Sequence, residues 1–312
     1  MSHTFQIDDV VVSAVELLYH QNVLGNTVHR QVEPGFEGGR GDSVRVRLPK
    51  RRTAKDYTGT TQYVDVEENA VQVKLTDEPT DATKLTSKEK TLDVADFAKQ
   101  VILPQTESVS RYIEKNLAKL MNDESAKVTE AAQIIDPAAK PGAVGHVIKS
   151  LTFSAAEFTR REIDPANRFF AIGPDVLQLL LDVEQIQKVN EAGGPEALRN
   201  ATLGNLFGFD IVVSPHITGA VAYHKDAFAL ANVALASVEG ANSASSSFNE
   251  YGLRIVRDFD PSTKSEVCIV DSLCGSKVID EQRFIPFKVK GAAESAPQAA
   301  PGAKPAHPTK RR

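Results

Sequence analysis

Apolar and polar positions recur with two different periods along this chain, and the period changes several times. Over residues 7–24, Val10, Val11, Ala14, Leu17 and Leu18 return at helical spacing, which predicts a short helix with Asp8 or Asp9 at its start. A turn-rich passage follows. Then Val44, Val46 and Leu48 alternate with Arg45 and Arg47 until Pro49 ends the run, the pattern of a strand with one packed face and one wet face. Further strands are expected at 63–66 and 70–75. The segment 38–91 has little apolar content of its own, so it reads as a long two-stranded excursion and not as a compact unit.

From residue 92 the period turns helical. Asp93 is placed to cap a helix over 94–101, and Pro104 opens a second, where its missing N–H does no harm. Val109, Tyr112, Ile113, Leu117, Leu120 and Met121 form one stripe of that helix, and Glu107, Arg111, Glu114, Lys115 and Lys119 fall mostly outside it. At 1.5 Å per residue it spans roughly 30 Å. After a loop over 134–147, helices are expected at 150–163, 174–189 and 225–235, and strands at 168–173, 209–215 and 219–224, a mixed α/β region. A Ser-rich link over 241–249 leads to strands at 251–259 and 265–273, joined by the turn "DPSTK", and to a last strand stretch over 276–290. The Ala/Pro-rich end, 291–312, is expected to be disordered.

Composition narrows the function classes. The chain has 312 residues, of which 41% are hydrophobic, enough for a real core. A net charge of -5 argues against a protein that coats nucleic acid by charge alone. No apolar run reaches the roughly 18 residues of a membrane helix, so no membrane partner is expected. The start of the chain lacks a basic region ahead of its apolar part and does not read as a secretory signal. Two cysteines, Cys268 and Cys274, exclude a disulfide scaffold, fit a reducing compartment and read as small buried hydrophobes.

The catalytic constellations are missing. His146, His216 and His224 lack metal-ligand spacing. "GNLFGF" precedes a strand and reads as a β turn, because a phosphate cradle needs a helix N-terminus there. Asp164 and Asp175 are accounted for by a turn and a helix start. "RGD" at 40–42 reads as a turn into a strand. No catalytic, cofactor-binding or metal residue is assigned, and the chain reads as a non-enzyme with no cofactor. The basic positions Arg45, Arg47, Lys50, Arg51 and Arg52 are the candidate site: a charged contact to a neighbouring subunit. A nucleic-acid groove fits them less well, since no aromatic residues interleave for base stacking.

Five blocks carry a resemblance: "LLYHQNVLGNTVHRQVEPGFEGGRGDSVRVRLP", "RFFAIGPDVLQLLL", "LGNLFGFDIVVSPHI", "AVAYHKDAFALA" and "GLRIVRDFDPSTKSEVCIVDSLCGSKVID". The first holds N-x-V-x-R and G-D-x-V-x-(V/I)-x-x-P. Their order, reaching to about residue 290, resembles the major capsid (coat) protein of tailed double-stranded DNA bacteriophages, of the Hong Kong 97-type fold and nearest to the coat-protein branch of short-tailed phages. One departure is that the spacing between Phe170 and Asp226 leaves no room for the large inserted domain that some coats of this branch carry.

The resemblance implies an α+β fold. Residues 1–37 would be an N-terminal arm, 38–91 an extended β loop, 92–144 with 251–290 a peripheral domain containing a long spine helix, 145–250 an axial α/β domain, and 291–312 a disordered tail. It implies a homo-oligomer of hexamers and pentamers, an icosahedral head assembled in the host cytoplasm. That head would enclose DNA without sequence-specific binding, and a precursor shell would expand on packaging. Scaffolding and portal proteins, and possible decoration proteins, are the implied partners. A bacterial compartment of the encapsulin type shares the fold. From a different class, the alternative is an α/β enzyme with its site in the 145–245 segment; loss of a measured turnover on mutating His216, His224 and Asp226 would favour it.

Overall fold

The computed structural model describes residues 7–30, 43–49, 56, 68–86, 97–183, 204–238, 240 and 242–291. In chain order, α1 (Ile7–Gln21) is followed by β1 (Ser43–Pro49), β2 (Glu68–Lys74) and β3 (Thr80–Thr86). A π-helical turn, Ala98–Ile102, then runs directly into α2 (Leu103–Ala126). Next come β4 (Ile134–Ile135), α3 (Val147–Arg160), β5 (Arg168–Ile172), α4 (Pro174–Leu181), β6 (Asn205–Leu206), β7 (Phe209–Val213), β8 (Ala220–His224) and β9 (Phe228–Val233). The chain returns through β10 (Asn242–Phe248), β11 (Tyr251–Asp260), β12 (Ser265–Asp271), β13 (Leu273–Val278) and β14 (Phe284–Val289).

A six-stranded mixed sheet in the order β4-β14-β8-β5-β7-β6 has both faces covered. Phe170, Ile172, Phe209, Ala220, Ala222, Ile285 and Phe287 pack beneath α3 and α4 with Leu151, Phe158, Val176 and Leu180. Ala171, Val212, Val221, Tyr223 and Phe284 point the other way and join α1, α2 and the four-stranded antiparallel sheet β10-β11-β12-β3 in a second core. That core gathers Val11, Ala14, Val15 and Leu18 of α1, Val109, Ile113, Leu117 and Met121 of α2, and Leu253, Ile255 and Val270 of the sheet. The long helix therefore lies between the two sheets.

α2 runs 24 residues, about 36 Å. Pro104 stands in its first turn, but no break separates the expected helix over 94–101 from it: the π turn carries the helix through without interruption. The stripe differs from expectation at two places. Tyr112 is exposed at 46%, and Glu114, placed outside the stripe, is buried at 8%. Positions 109, 113, 117 and 121 define the buried line, and 112 falls off its edge, whereas 114 faces the loop after β7. Asp8 and Asp9 lie within α1 (Ile7–Gln21) and not at its cap.

Four further expectations change. Residues 225–235 form no α-helix: Lys225–Ala227 is a 3-10 turn and β9 follows. β9 is apolar on both sides because its alternate residues serve two cores, Phe228 and Leu230 in one, Ala229 and Ala231 in another. A run buried on both faces loses the alternation that marks a strand. The Ser-rich stretch is β10, an edge strand paired with β11 and lying against α1. Strand β3, where no strand was expected, pairs with β12 from Thr80↔Asp271 to Thr86↔Ser265. The expected stretch 276–290 is two strands, divided by a 3-10 turn at Glu281–Arg283. The expected strand at 63–66, the helix portions 94–96 and 184–189, Asp93 and the tail from 292 lie outside the described residues.

β1 and β2 form a two-stranded antiparallel pair, Ser43↔Lys74 to Pro49↔Glu68. Its root rests on the β9–β13 ribbon, where the approach is close: a Cβ at Gly275 would fall 1.9 Å from the Lys74 carbonyl oxygen. Gly275→Ala is therefore expected to destabilise the chain by about 1–3 kcal/mol or more, because the clash is with backbone and no side chain can yield. Urea unfolding of the purified variant against the parent measures this.

Candidate assembly surface

The β1–β2 pair has one dry face. Val44, Val46 and Val73 are buried against Ala229 and Ala231, with Leu75 and Ile279 at the margin. Directly opposite residues of an antiparallel pair share a face, so the register sets Arg45, Gln72 and Lys74 together on the wet side. All three are exposed. Arg47, opposite Ala70, occupies a register position on that same side. Lys50, Arg51 and Arg52 lie outside the described residues. The structure thus brings Arg45 and Lys74 to one wet face; Lys74 was not among the expected site residues, although its place in the alternation next to Val73 marks it.

The root of this pair is tied to the body by polar contacts. Lys277 Nζ donates to the Gln72 carbonyl at 3.1 Å. Asp77 and Cys274 exchange backbone hydrogen bonds, Asp77 N–H to Cys274 O at 3.1 Å and Cys274 N–H to Asp77 O at 2.8 Å. The Asn116 amide of α2 donates to the Asp77 carboxylate, and its oxygen accepts from Ser276 Oγ at 3.2 Å.

Other polar groups of α2 hold other segments. Gln105 Nε2 lies 3.0 Å from Cys268 O and 3.1 Å from Thr83 Oγ1, joining the helix start to β12 and β3. Ser110 Oγ accepts from the Asn22 amide at 2.9 Å, just beyond α1. Ser214 Oγ donates to Glu114 Oε1 at 2.7 Å. Asn122 donates to the His216 carbonyl at 2.8 Å and accepts from Thr218 N–H at 3.0 Å. Periodicity shows none of these, since each depends on a partner about 20 to more than 150 residues away.

A charged node fixes the segment after α1. His29 bridges to β9 through backbone hydrogen bonds, its N–H to Phe228 O at 3.1 Å and its carbonyl from Leu230 N–H at 3.0 Å. Its Nδ1 lies 3.1 Å from Asp226 Oδ1, and Arg283 Nη1 donates to Asp226 Oδ2 at 3.0 Å. The His29 hydrogen bond, together with nearby positive charge, holds the Asp226 carboxyl below the usual range. His224 Nδ1 accepts from the Asp226 N–H at 3.2 Å, which requires that nitrogen to be unprotonated. Burial, reinforced by Arg283 and Arg168, lowers the His224 pKa against the opposing pull of Asp226 and Asp164. His216 belongs to the Asn122 contact, so the three residues named for the enzyme reading are not one constellation. Among the described residues no group of three or more His, Cys, Asp or Glu is gathered for a metal. Cys268 and Cys274 are free and buried, and burial raises their thiols to about 11 and about 12. Among the described residues no helix is long and apolar enough to cross a membrane.

No family model and no curated protein matches the chain. Solved structures do. A structure of Mycobacterium phage Che8 is similar at TM-score 0.56 and 16% identity, over 84% of this chain and 89% of that one. The asymmetric unit of the bacteriophage PhiM1 mature capsid is similar at TM-score 0.53 and 14% identity, over 86% and 87%. The capsid structure of the Cyanophage P-SCSP1u is similar at TM-score 0.52 and 12% identity, over 80% and 84%. At such identities the likeness is one of fold: this is an α+β chain with the fold of phage capsid subunits.

The node makes a prediction about acid. A histidine with a lowered folded-state pKa contributes stability that is complete above its unfolded value, about 6.5, and is lost as pH falls below it. The thermal midpoint is expected to fall between about pH 7 and about pH 5. His224→Asn keeps an acceptor for the Asp226 N–H and should flatten that fall. An equal slope in both proteins would remove His224 as its source.

Proposed function

We propose that the chain is the major capsid protein of a tailed double-stranded DNA phage. Many copies assemble, as hexamers and pentamers, into the icosahedral head that encloses the genome. The observation that carries this reading is the extent of the fold match, at least four fifths of this chain and of structures described as capsids. The β1–β2 pair supports it independently. Two strands alone are marginal in water, and this pair buries one face on its own subunit while presenting arginine and lysine on the other. An outward charged face on a weak element suits a neighbour's surface.

In this reading 1–37 is the arm, 38–91 the extended loop, 92–144 with 251–290 the peripheral domain, and 145–250 the axial domain. α2 is the spine helix. Arg45, Arg47, Lys50, Arg51 and Arg52 form the contact to an adjacent copy. Scaffolding and portal proteins serve assembly, a decoration protein is a further partner, and DNA is enclosed without sequence recognition. Expansion of a precursor shell would proceed by rigid-body shifts of the domains.

Negative-stain electron microscopy of the full-length protein, with gel filtration beside it, tests the reading. Closed shells, rings of five or six, or curved sheets are expected. A small species that stays small when a co-expressed scaffolding protein is supplied would overturn it. Reversing Arg45, Arg47 and Arg51 to Glu is expected to leave the circular dichroism spectrum of the subunit unchanged and to abolish assembly. An unfolded variant would mean that this strand belongs to the core.

A further inference from the structure

At one edge of the six-stranded sheet, β6 and β7 are joined by a two-residue turn, Phe207–Gly208, with Leu206 paired to Phe209. Both turn residues have positive φ, 52° and 83°. Turns of this kind favour Asn-Gly, because asparagine and glycine tolerate left-handed backbone. A phenylalanine there is strained by about 1–2 kcal/mol. Its own subunit gives little in return, since Phe207 is 51% exposed whereas Phe209, two residues on, is fully buried. Val213 on the same strand pair is also exposed. Asp210, the residue after Phe209 on β7, is held by the Asn205 amide at 2.9 Å. The edge therefore presents an apolar knob whose local charge is already engaged.

The opposite edge of the same sheet is β4. Beside it lies a hollow of about 680 Å³ of mixed lining, with Pro137, Ile148 and Leu179 on its walls and His146, Lys149 and Asp182 among them. Asp136 on its wall is held by Lys290 Nζ at 2.8 Å. That volume is in the range of sites that enclose ligands larger than one aromatic side chain. Knob and hollow sit at opposite ends of one sheet, so they cannot meet within a subunit. Two copies that join them make a heterologous contact, which repeats head to tail and closes into a ring where the rotation between copies closes.

We propose that Phe207 is the apolar knob of a head-to-tail contact between copies of this chain and seats in the hollow beside β4 of the next copy. The proposal rests on the assembly reading and adds to it the residue, the receiving surface and the direction of the contact. The strain at Phe207 is then maintained because the aromatic ring is used between subunits.

The test places the photoreactive phenylalanine analogue benzoylphenylalanine at position 207 of the full-length chain, irradiates assembled particles and maps the adducts by mass spectrometry. Adducts within 136–152 or 179–183 of another copy are expected. Adducts elsewhere, adducts to a different protein, or none in well-formed particles would overturn the contact. In parallel, Phe207→Asn is expected to keep or raise the thermal midpoint of the unassembled subunit and to raise its assembly threshold by at least about tenfold; Phe207→Gly replaces it if the asparagine variant fails to fold. A threshold equal to the parent's would overturn the proposal. If the parent chain forms no assembly even with a scaffolding protein, the assembly reading fails and this contact with it; normal assembly without the expected adduct removes the contact alone.

Discussion

One helix holds this molecule together. Val109, Ile113, Leu117 and Met121 of α2 are all buried in the core shared by the two sheets and α1. Each such side chain contributes roughly 1.5–3 kcal/mol by leaving water. Apolar contact alone would let the surrounding elements slide along the helix, because it has no direction. Direction comes from the polar groups interspersed with the stripe. Gln105 takes hold of β3 and β12, Ser110 of the end of α1, Glu114 and Asn122 of the loop after β7, and Asn116 of the root of the hairpin. A buried polar group left without its partner costs about 1–3 kcal/mol, so each contact strongly favours one register. The helix is a rod that positions several otherwise independent segments.

The hairpin rests on the β9–β13 ribbon and reaches that rod only through its root. Its dry face is only a few side chains wide, and its small core is closed by alanines of β9. Glycine at 275 lets the backbone of β13 approach the end of β2. Asn116, through Asp77 and Ser276, links this junction to α2. The root of the hairpin is thus fixed in direction while its wet side remains open, the arrangement expected of an element completed by another chain.

Much of this architecture was legible in the residues, and the failures have physical causes. The strands at 168–172, 209–213 and 251–271 alternate or are bounded by turn chemistry, and they appear where the pattern places them. The "DPSTK" turn is closed by Asp260, which accepts from Ser262 and Thr263. β9 was mistaken for a helix because Phe228 and Leu230 serve one core and Ala229 and Ala231 another, which erases alternation. β3 and β10 are polar strands held by backbone pairing, which leaves no mark in side-chain pattern. Within the candidate site, Arg45 was readable from alternation. Phe207 was not: its segment read correctly as a turn, but the sign of φ is a property of the backbone, and nothing in "NLFGF" discloses that the aromatic residue takes the left-handed position.

The features that serve the subunit and those that suit a neighbour are separated in space. The bonds that fix the subunit converge on α2 between the sheets, whereas the basic wet face lies on the hairpin and the strained aromatic at the far edge of the six-stranded sheet. A subunit whose interior also formed its interfaces would have to unfold in part to change partners. In the proposed assembly the core would stay intact while the hairpin and the sheet edge exchanged contacts, as enlargement of a shell without dissolving its subunits would require. Each peripheral contact can be weak, since a closed shell multiplies it over many copies, and weak contacts allow misplaced subunits to leave before the shell closes.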